Sequence, residues 1–332
     1  MLTYEGGKKS MKKLLLVLLI GAVFVSFAAF TAFAAGEQEA AEKEEYNFYW
    51  ISHGSEGDPI WIYAINGAKK AANTLGIDLN TSFHHNDLAT HKEAFNTAIA
   101  SGADGIASST PEDGALVEEV KLAHEKGIPV ILFNNDDPPT GRDAYVGADN
   151  FQVGKQWAQY LVDNNLVEEG DFVWCPVEVP GASYQVDETK GIASVFDPLG
   201  IEYEVFNAEY DPAKSLSNMT SYLSAHGDKV DAMIGLGDMV TGNTQRVFNN
   251  VDWEPGHIPV VGWGNSSETA RAVKAGYVDA ATWQYPSSLG AMPIVLLYME
   301  MVDMPIGYDI ITTALYTEDN VDTYIELTEA MK

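Results

Sequence analysis

The stretch Gly127-Ile128-Pro129-Val130-Ile131-Leu132-Phe133-Asn134-Asn135 decides the fold. Gly127 follows an amphipathic run, Gly114 to Glu125, and stands where a helix places glycine just past its C-cap. Pro129 to Asn134 is made almost wholly of β-formers, without polar alternation, and reads as a strand covered on both faces. Two side-chain amides end it. A helix, a short turn and a buried strand with a polar end form one unit of a parallel α/β sheet, and in open sheets ligands sit beyond the carboxyl ends of the strands.

The same unit recurs on both sides of this stretch. Upstream, strands are predicted at Asn47 to Ser52, Ile77 to Ser82 and Gly105 to Ser109, with helices at Ile62 to Leu75 and Leu88 to Ala100. A short strand at Ala144 to Gly147 closes this half. The pattern then restarts, with helices at Val153 to Val162, Gln185 to Phe196, Ala213 to Ala225 and Thr241 to Asn249, a short one around Ala270 to Lys274, and Leu289 to Val302. Between them lie strands at Phe172 to Pro176, Ile201 to Phe206, Val230 to Leu236, Ile258 to Trp263 and Val278 to Gln284. Two such sets predict an α/β protein of two doubly wound parallel-sheet lobes, with no short sequence repeat of the solenoid kind.

The N-terminus sets the address. Lys8, Lys9, Lys12 and Lys13 make a positive head, Leu14 to Phe30 an apolar run, and Ala32-Phe33-Ala34 a small-x-small cleavage site, so residues 1–34 read as a signal peptide and 35–45 as an acidic leader. Outside the cytoplasm there is little ATP or NAD, which favours ligand capture over nucleotide-dependent catalysis. Of the 19 basic residues four precede Ala35, and of the 48 acidic ones only Glu5 does; the mature chain therefore carries 15 against 47, a net charge of −32. Such a surface repels nucleic acid and anionic membranes. The single cysteine, Cys175, lies in an apolar run and reads as a buried strand residue, and no disulfide within the chain is possible.

Beyond the predicted strands stand Ser52, His53, Gly54 and Ser55, then Asp58, Pro59, Ile60 and Trp61; next Ser108, Ser109 and Thr110, and then Asn134, Asn135 and Asp136. In the second half the ends carry Glu178, Tyr210, Gly237, Asp238, Trp263, Gly264, Asn265 and Gln284. Amides, hydroxyls and rings with few fixed charges suit a neutral polyhydroxylated ligand, since amides and carboxylates fix hydroxyl geometry and rings stack on C–H faces. Catalytic patterns are weak. The Gly147 to Lys155 segment lacks the spacing and the hydroxyl of a phosphate loop, Gly235-Leu236-Gly237 lacks a third glycine, and there is no Gly-x-Ser-x-Gly elbow. His84, His85 and His91 have no zinc spacing and are expected at the surface. No cofactor, metal or catalytic residue is expected.

Several segments together carry a resemblance: Gly57-Asp58-Pro59-Ile60-Trp61, Asn66-Gly67-Ala68-Lys69-Lys70-Ala71-Ala72, the opening stretch, Gly147-Ala148-Asp149-Asn150, Val260-Val261-Gly262-Trp263 and Thr282-Trp283-Gln284-Tyr285-Pro286. In this order, over essentially the whole mature chain, they resemble the ribose-binding-protein-like family of type I periplasmic solute-binding proteins, which serve sugar ABC importers. The resemblance implies lobes at 46–149 plus 285–308 and 150–284 plus 309–332, joined by a three-stranded hinge. It implies a monomer that closes on a sugar and docks on an ABC permease with its ATPase. By position, Asp58 and Trp61 match first-lobe contacts, Asn134 and Asn135 stand where ribose binders have an acidic-basic pair, Tyr210 matches an aromatic contact and Gln284 the hinge glutamine. The second-lobe arginine expected near Tyr184 to Asp187 is missing. Gly237 replaces an asparagine and Gly264 an aspartate, which points away from ribose itself.

The candidate ligand set is His53, Asp58, Ile60, Trp61, Ser109, Asn134, Asn135, Tyr184, Gln185, Tyr210, Asp238, Trp263, Asn265 and Gln284. The expected function is extracytoplasmic capture of a neutral monosaccharide or polyol. A receptor for a nucleoside or furanose-type signal, a chemoreceptor ligand carrier and an extracytoplasmic enzyme on the same fold stay open as alternatives.

Overall fold

The computed structural model describes residues 46–56, 59–110 and 112–331; the predicted signal peptide, the acidic leader and Asp58 lie outside the described residues. Among the described residues no helix is long and apolar enough to cross a membrane. The chain opens with β1 (Asn47–Ser52), β2 (Asp78–Phe83), β3 (Gly105–Ser108), β4 (Val130–Asn134) and β5 (Ala144–Gly147). A second group follows: β6 (Phe172–Val177), β7 (Glu202–Asn207), β8 (Ala232–Gly235), β9 (Val260–Trp263) and β10 (Ala280–Trp283), with β11 (Ile310–Ile311) and β12 (Ala314–Thr317) near the C-terminus. They build two sheets, ordered β11-β5-β4-β3-β1-β2 and β12-β10-β9-β8-β6-β7. Both are parallel apart from the antiparallel edge pair β10/β12. In each sheet the second strand lies on one side of the first and the third on the other, so the connections diverge between β1 and β3 and between β6 and β8. Those are the switch points at which an open α/β sheet leaves a crevice.

The helices are α1 (Pro59–Leu75), α2 (Leu88–Ala100), α3 (Val117–Glu125), α4 (Asn150–Asp163), α5 (Ser183–Phe196), α6 (Pro212–His226), α7 (Asp238–Gly242), α8 (Thr244–Asn250), α9 (Ser267–Lys274), α10 (Pro286–Met301) and α11 (Val321–Ala330). Each sheet has an apolar core on either face, and the period-two geometry of a strand allots its residues between them. On β4, Ile131 and Phe133 join Ala64, Ala68 and Ala72 of α1 and Leu289 and Leu297 of α10. Val130 and Leu132 point the other way, onto Phe95 and Ala98 of α2 and Val120 and Ala123 of α3. Full burial of a side chain such as Phe133 is worth about 2 kcal/mol by area. Helices α1 and α10 meet backbone to backbone: a Cβ on Gly67 would lie 2.0 Å from the Ser287 carbonyl oxygen, and one on Gly290 1.7 Å from that of Ala64.

The structure departs from the sequence reading in several places. The expected helix at 241–249 is two helices, α7 and α8, meeting at Asn243. His91 is fully buried, because it shares the inward face of α2 with Phe95 and Ala98 and reaches Ser108. The sequence reading assigned no element after 302, yet β11, β12 and α11 are there. β11 is short and half-exposed, and β12 joins the second sheet antiparallel, so neither carries the buried parallel pattern. Because β11 pairs with β5, the chain stays with the first sheet through Ile311 before β12 pairs with β10. At the other late passage Tyr285 takes a left-handed backbone conformation, φ 53°, as the chain turns from β10 into α10.

Candidate functional site

The ends of β1 and β3 bring His53 and Ser109 together. The His53 N–H donates to Ser109 Oγ at 2.9 Å, and the same oxygen lies 2.7 Å from His53 Nδ1. Burial lowers the imidazole pKa to about 4, so the ring is neutral. With the serine hydroxyl donating to Nδ1, the ring proton sits on Nε2, which is left as a donor. The edge of this ring packs on Trp61, 4.9 Å between centroids at 77°. Beneath it His91 Nε2 donates to Ser108 Oγ at 3.0 Å, and that hydroxyl donates to the Ser109 carbonyl at 3.0 Å. Burial, reinforced by His53 and His84, holds His91 down at about 3, so this support is neutral as well.

Asn134 ends β4 in the left-handed region, φ 69°, a conformation asparagine tolerates better than most residues. Its carbonyl accepts from the Tyr145 hydroxyl at 2.7 Å, while its half-buried side-chain amide makes no hydrogen bond within the described protein. Asn135 is buried, and its Nδ2 donates to the Thr110 carbonyl at 3.0 Å. Nearby Arg142 binds Asp136 through Nη2 at 2.7 Å and Asp309 through Nη1 at 2.9 Å, tying the end of β4 to the start of β11.

The second lobe presents a wall of different chemistry. Glu178, just past β6, accepts at Oε1 from the backbone N–H groups of Met239 (3.0 Å) and Val240 (3.2 Å). Burial pushes its pKa up to about 7; Asp238 adds to the rise, and the two N–H groups oppose it. Asp238 Oδ1 accepts from the backbone of Asn265 (2.7 Å) and Ser266 (3.2 Å) and from Thr269 Oγ1 (3.2 Å). Its pKa too is raised by burial, against those hydrogen bonds. The Tyr184 phenol is driven well above its usual range, first by burial and then by Glu178, Glu188 and Tyr210 around it. Just past β9 and β10, Asn265 and Gln284 interlock: the Gln284 N–H donates to Asn265 Oδ1 at 2.8 Å and Asn265 Nδ2 donates to Gln284 Oε1 at 3.1 Å.

The two walls meet at the open edge, where Ser55 Oγ of the first lobe lies 3.5 Å from the hydroxyl of Tyr210, itself 44% exposed. Tyr63 on α1 lies deeper, its phenol pKa raised by burial and then by Glu268 and Asp238 of the facing lobe. The first sheet thus carries His53, Ser109, Asn134 and Asn135 beyond its strand ends and the second Tyr184, Tyr210, Asp238, Asn265 and Gln284, and the two sets approach each other at Ser55–Tyr210 and at Tyr63 beside Glu268 and Asp238. Ile60 is half-buried against the α1 core.

Two expected contacts are placed otherwise. Gln185 spends its amide on its own helix entrance, accepting from Gly181 N at 2.8 Å and donating to Thr189 Oγ1 at 2.7 Å. Trp263 is 4% exposed, packs edge-on against Trp157 and donates Nε1–H to the buried Glu188 at 2.8 Å. Trp61, at 5% exposure, is also largely a core residue, edge-on to Phe133. Tyr63 and Glu188 were absent from the sequence reading, for both sit inside helices where no strand-end rule reaches them.

A family model for the periplasmic binding protein domain matches residues 48–302. The chain belongs to that family. As a periplasmic binding protein domain it is similar to the ribose import binding protein RbsB of Bacillus subtilis (strain 168), 22% identical over 258 residues, which is 78% of this chain and 82% of the relative. A carbohydrate transporter from Acidothermus cellulolyticus 11B, solved in complex with myo-inositol, superposes with a TM-score of 0.77 at 19% identity, covering 86% of this chain and 99% of the other. A solute-binding protein of an ABC transporter from Burkholderia graminis C4D1M, solved with D-arabinose, gives a TM-score of 0.76 at 23% identity, with 85% and 99% covered. At these identities the superpositions establish the type I two-lobed fold of this periplasmic binding protein domain.

Proposed function

We propose that the chain captures a neutral monosaccharide or polyol in the crevice between its lobes and delivers it to an ABC permease and its ATPase. The observation that carries this reading is the set of groups beyond the strand ends at the two switch points: a neutral imidazole, the free amide of Asn134, phenols and hydrogen-bonded carboxyls. Each is a partner for a sugar hydroxyl, and binding alone is the work done. His53 Nε2 and the Asn134 amide supply donors, and Asp238 and Tyr184 complete the opposite wall. Export through a cleaved signal peptide and action as a monomer belong to the same reading, as do relatives that bind ribose, myo-inositol and D-arabinose.

The lobes would move as the two sheets with their helices, the first including β11. Contacts that a ligand makes only in the shut form would drive closure. Thermal-shift and calorimetric titration with D-ribose, D-arabinose, D-xylose, D-allose, myo-inositol and xylitol tests the reading. A ligand at 100 times its Kd adds about 2.7 kcal/mol of stability. The bound form should also be more compact by small-angle scattering. Failure of every sugar and polyol to stabilise the protein would refute it.

A further inference from the structure

We propose that Glu178 is the ligand-selecting carboxyl of the second lobe: it turns Oε2 into the crevice, in the space a side chain at position 237 would fill, and demands a hydroxyl donor from a ligand without acidic groups. This rests on the capture of a sugar or polyol proposed above. Three observations lead to it.

Glu178 follows β6, and Gly237 and Asp238 follow β8, so they flank the second switch point as His53 and Ser109 flank the first. Gly237 has an extended backbone open to any residue (φ −160°), yet a Cβ there would lie 1.7 Å from Glu178 Oε2. The glycine is therefore the vacancy that the glutamate fills. Finally, Glu178 is held in one orientation, because Oε1 is fixed by Met239 N and Val240 N while, among the described residues, Oε2 has no donor outside its own residue.

A carboxylate oxygen so placed accepts from ligand hydroxyls and offers nothing to a ligand anion. Among the described residues the charged and titratable groups around it are Asp238 on α7 and Tyr184 and Glu188 on α5, and none is a cation. A uronate or sugar phosphate would be set against two carboxyls in a poorly solvated wall.

The proton on Glu178 then governs affinity. With a pKa of about 7, roughly 3% of the protein carries the carboxylate at pH 5.5 and about 90% at pH 8.0, so a ligand that needs the carboxylate binds about 30-fold more tightly at the higher pH.

The test is calorimetric titration at pH 5.5 and 8.0 of whichever panel member wild type binds most tightly, together with D-galacturonate, using wild type, Glu178→Gln and Gly237→Ala. The Gln variant keeps the shape and the acceptor for the α7 backbone; the Ala variant displaces the carboxyl without removing it. Circular dichroism confirms that each is folded. Expected are a rise of about 30-fold for wild type, affinities at pH 8.0 at least tenfold weaker in both variants, a flat pH response in Glu178→Gln, and no uronate binding to wild type. If the sugar binds both variants with wild-type affinity and pH response, or wild type takes D-galacturonate equally well, this assignment is overturned while sugar capture stands. If wild type binds no panel member at either pH, both readings fall together.

Discussion

Replacing Glu178 by glutamine should make the ligand-free protein more stable, by an amount set by pH. In the unfolded chain the carboxyl ionises near its usual value of 4.5; in the folded protein it holds its proton up to about 7. Below pH 4.5 both states are protonated and burial costs nothing through this group. Between pH 4.5 and 7 the unfolded state alone releases the proton, so wild-type stability falls by about 1.4 kcal/mol per pH unit. Above pH 7 the cost is constant at about 3 kcal/mol, for a carboxyl pushed from 4.5 up to about 7. Glutamine has no proton to lose, and its Oε1 still accepts from Met239 N and Val240 N. The variant's advantage should therefore be near zero at pH 4.5 and about 3 kcal/mol at pH 8, or roughly 6 °C or more in Tm for a protein of this size. Scanning calorimetry of both proteins without ligand, in steps from pH 4.5 to 8, reads the difference directly. A gap in Tm that stays constant across the range, or a wild type that is the more stable at pH 8, would refute the assignment of a strained, ionisable wall. With the affinity loss expected above, the variant would exchange binding for stability, as strained functional sites commonly do.

Trp61→Ala should remove a core ring beside Phe133 and His53 and lower the unfolding free energy by about 3–5 kcal/mol; urea titration showing a loss under 1 kcal/mol would contradict its burial. His53 should stay neutral, with no imidazole shift change in NMR spectra between pH 5.5 and 8, because burial puts its pKa near 4; a titration centred above pH 6 would refute that burial. Trp263→Phe should cost about 1–3 kcal/mol by stripping the buried Glu188 of its donor, and leave sugar affinity within twofold. A selective loss of affinity would move that indole from the core into the site.

The sheets were legible because their central strands are buried on both faces and several helices are followed by glycine: β1 and α2 fall where periodicity puts them, and β4 carries its two cores in strict alternation. The C-terminal elements were not legible, since β11 has two residues and β12 takes its direction from pairing with β10 rather than from any local pattern. The rule of strand ends put His53, Ser109, Asn134, Asp238, Asn265 and Gln284 at or just past the ends of their strands, which is where the structure has them. At Trp263 it gave no sign of the ring's packing, since alternation sets it beside Val261 on the core face of β9. Asp58 lies outside the described residues. The weight of Glu178 could not be read at all from sequence, because it depends on a glycine fifty-nine residues away leaving room for it.

Interleaving of the late strands bears on biogenesis. The first sheet gains its edge from β11 and a covering helix from α10, while the second waits for β12 and α11, so neither half is finished until almost the last residue has left the ribosome. A nascent chain of this kind cannot lock into a stable globule early. That delay would keep it threadable, as the export proposed above requires.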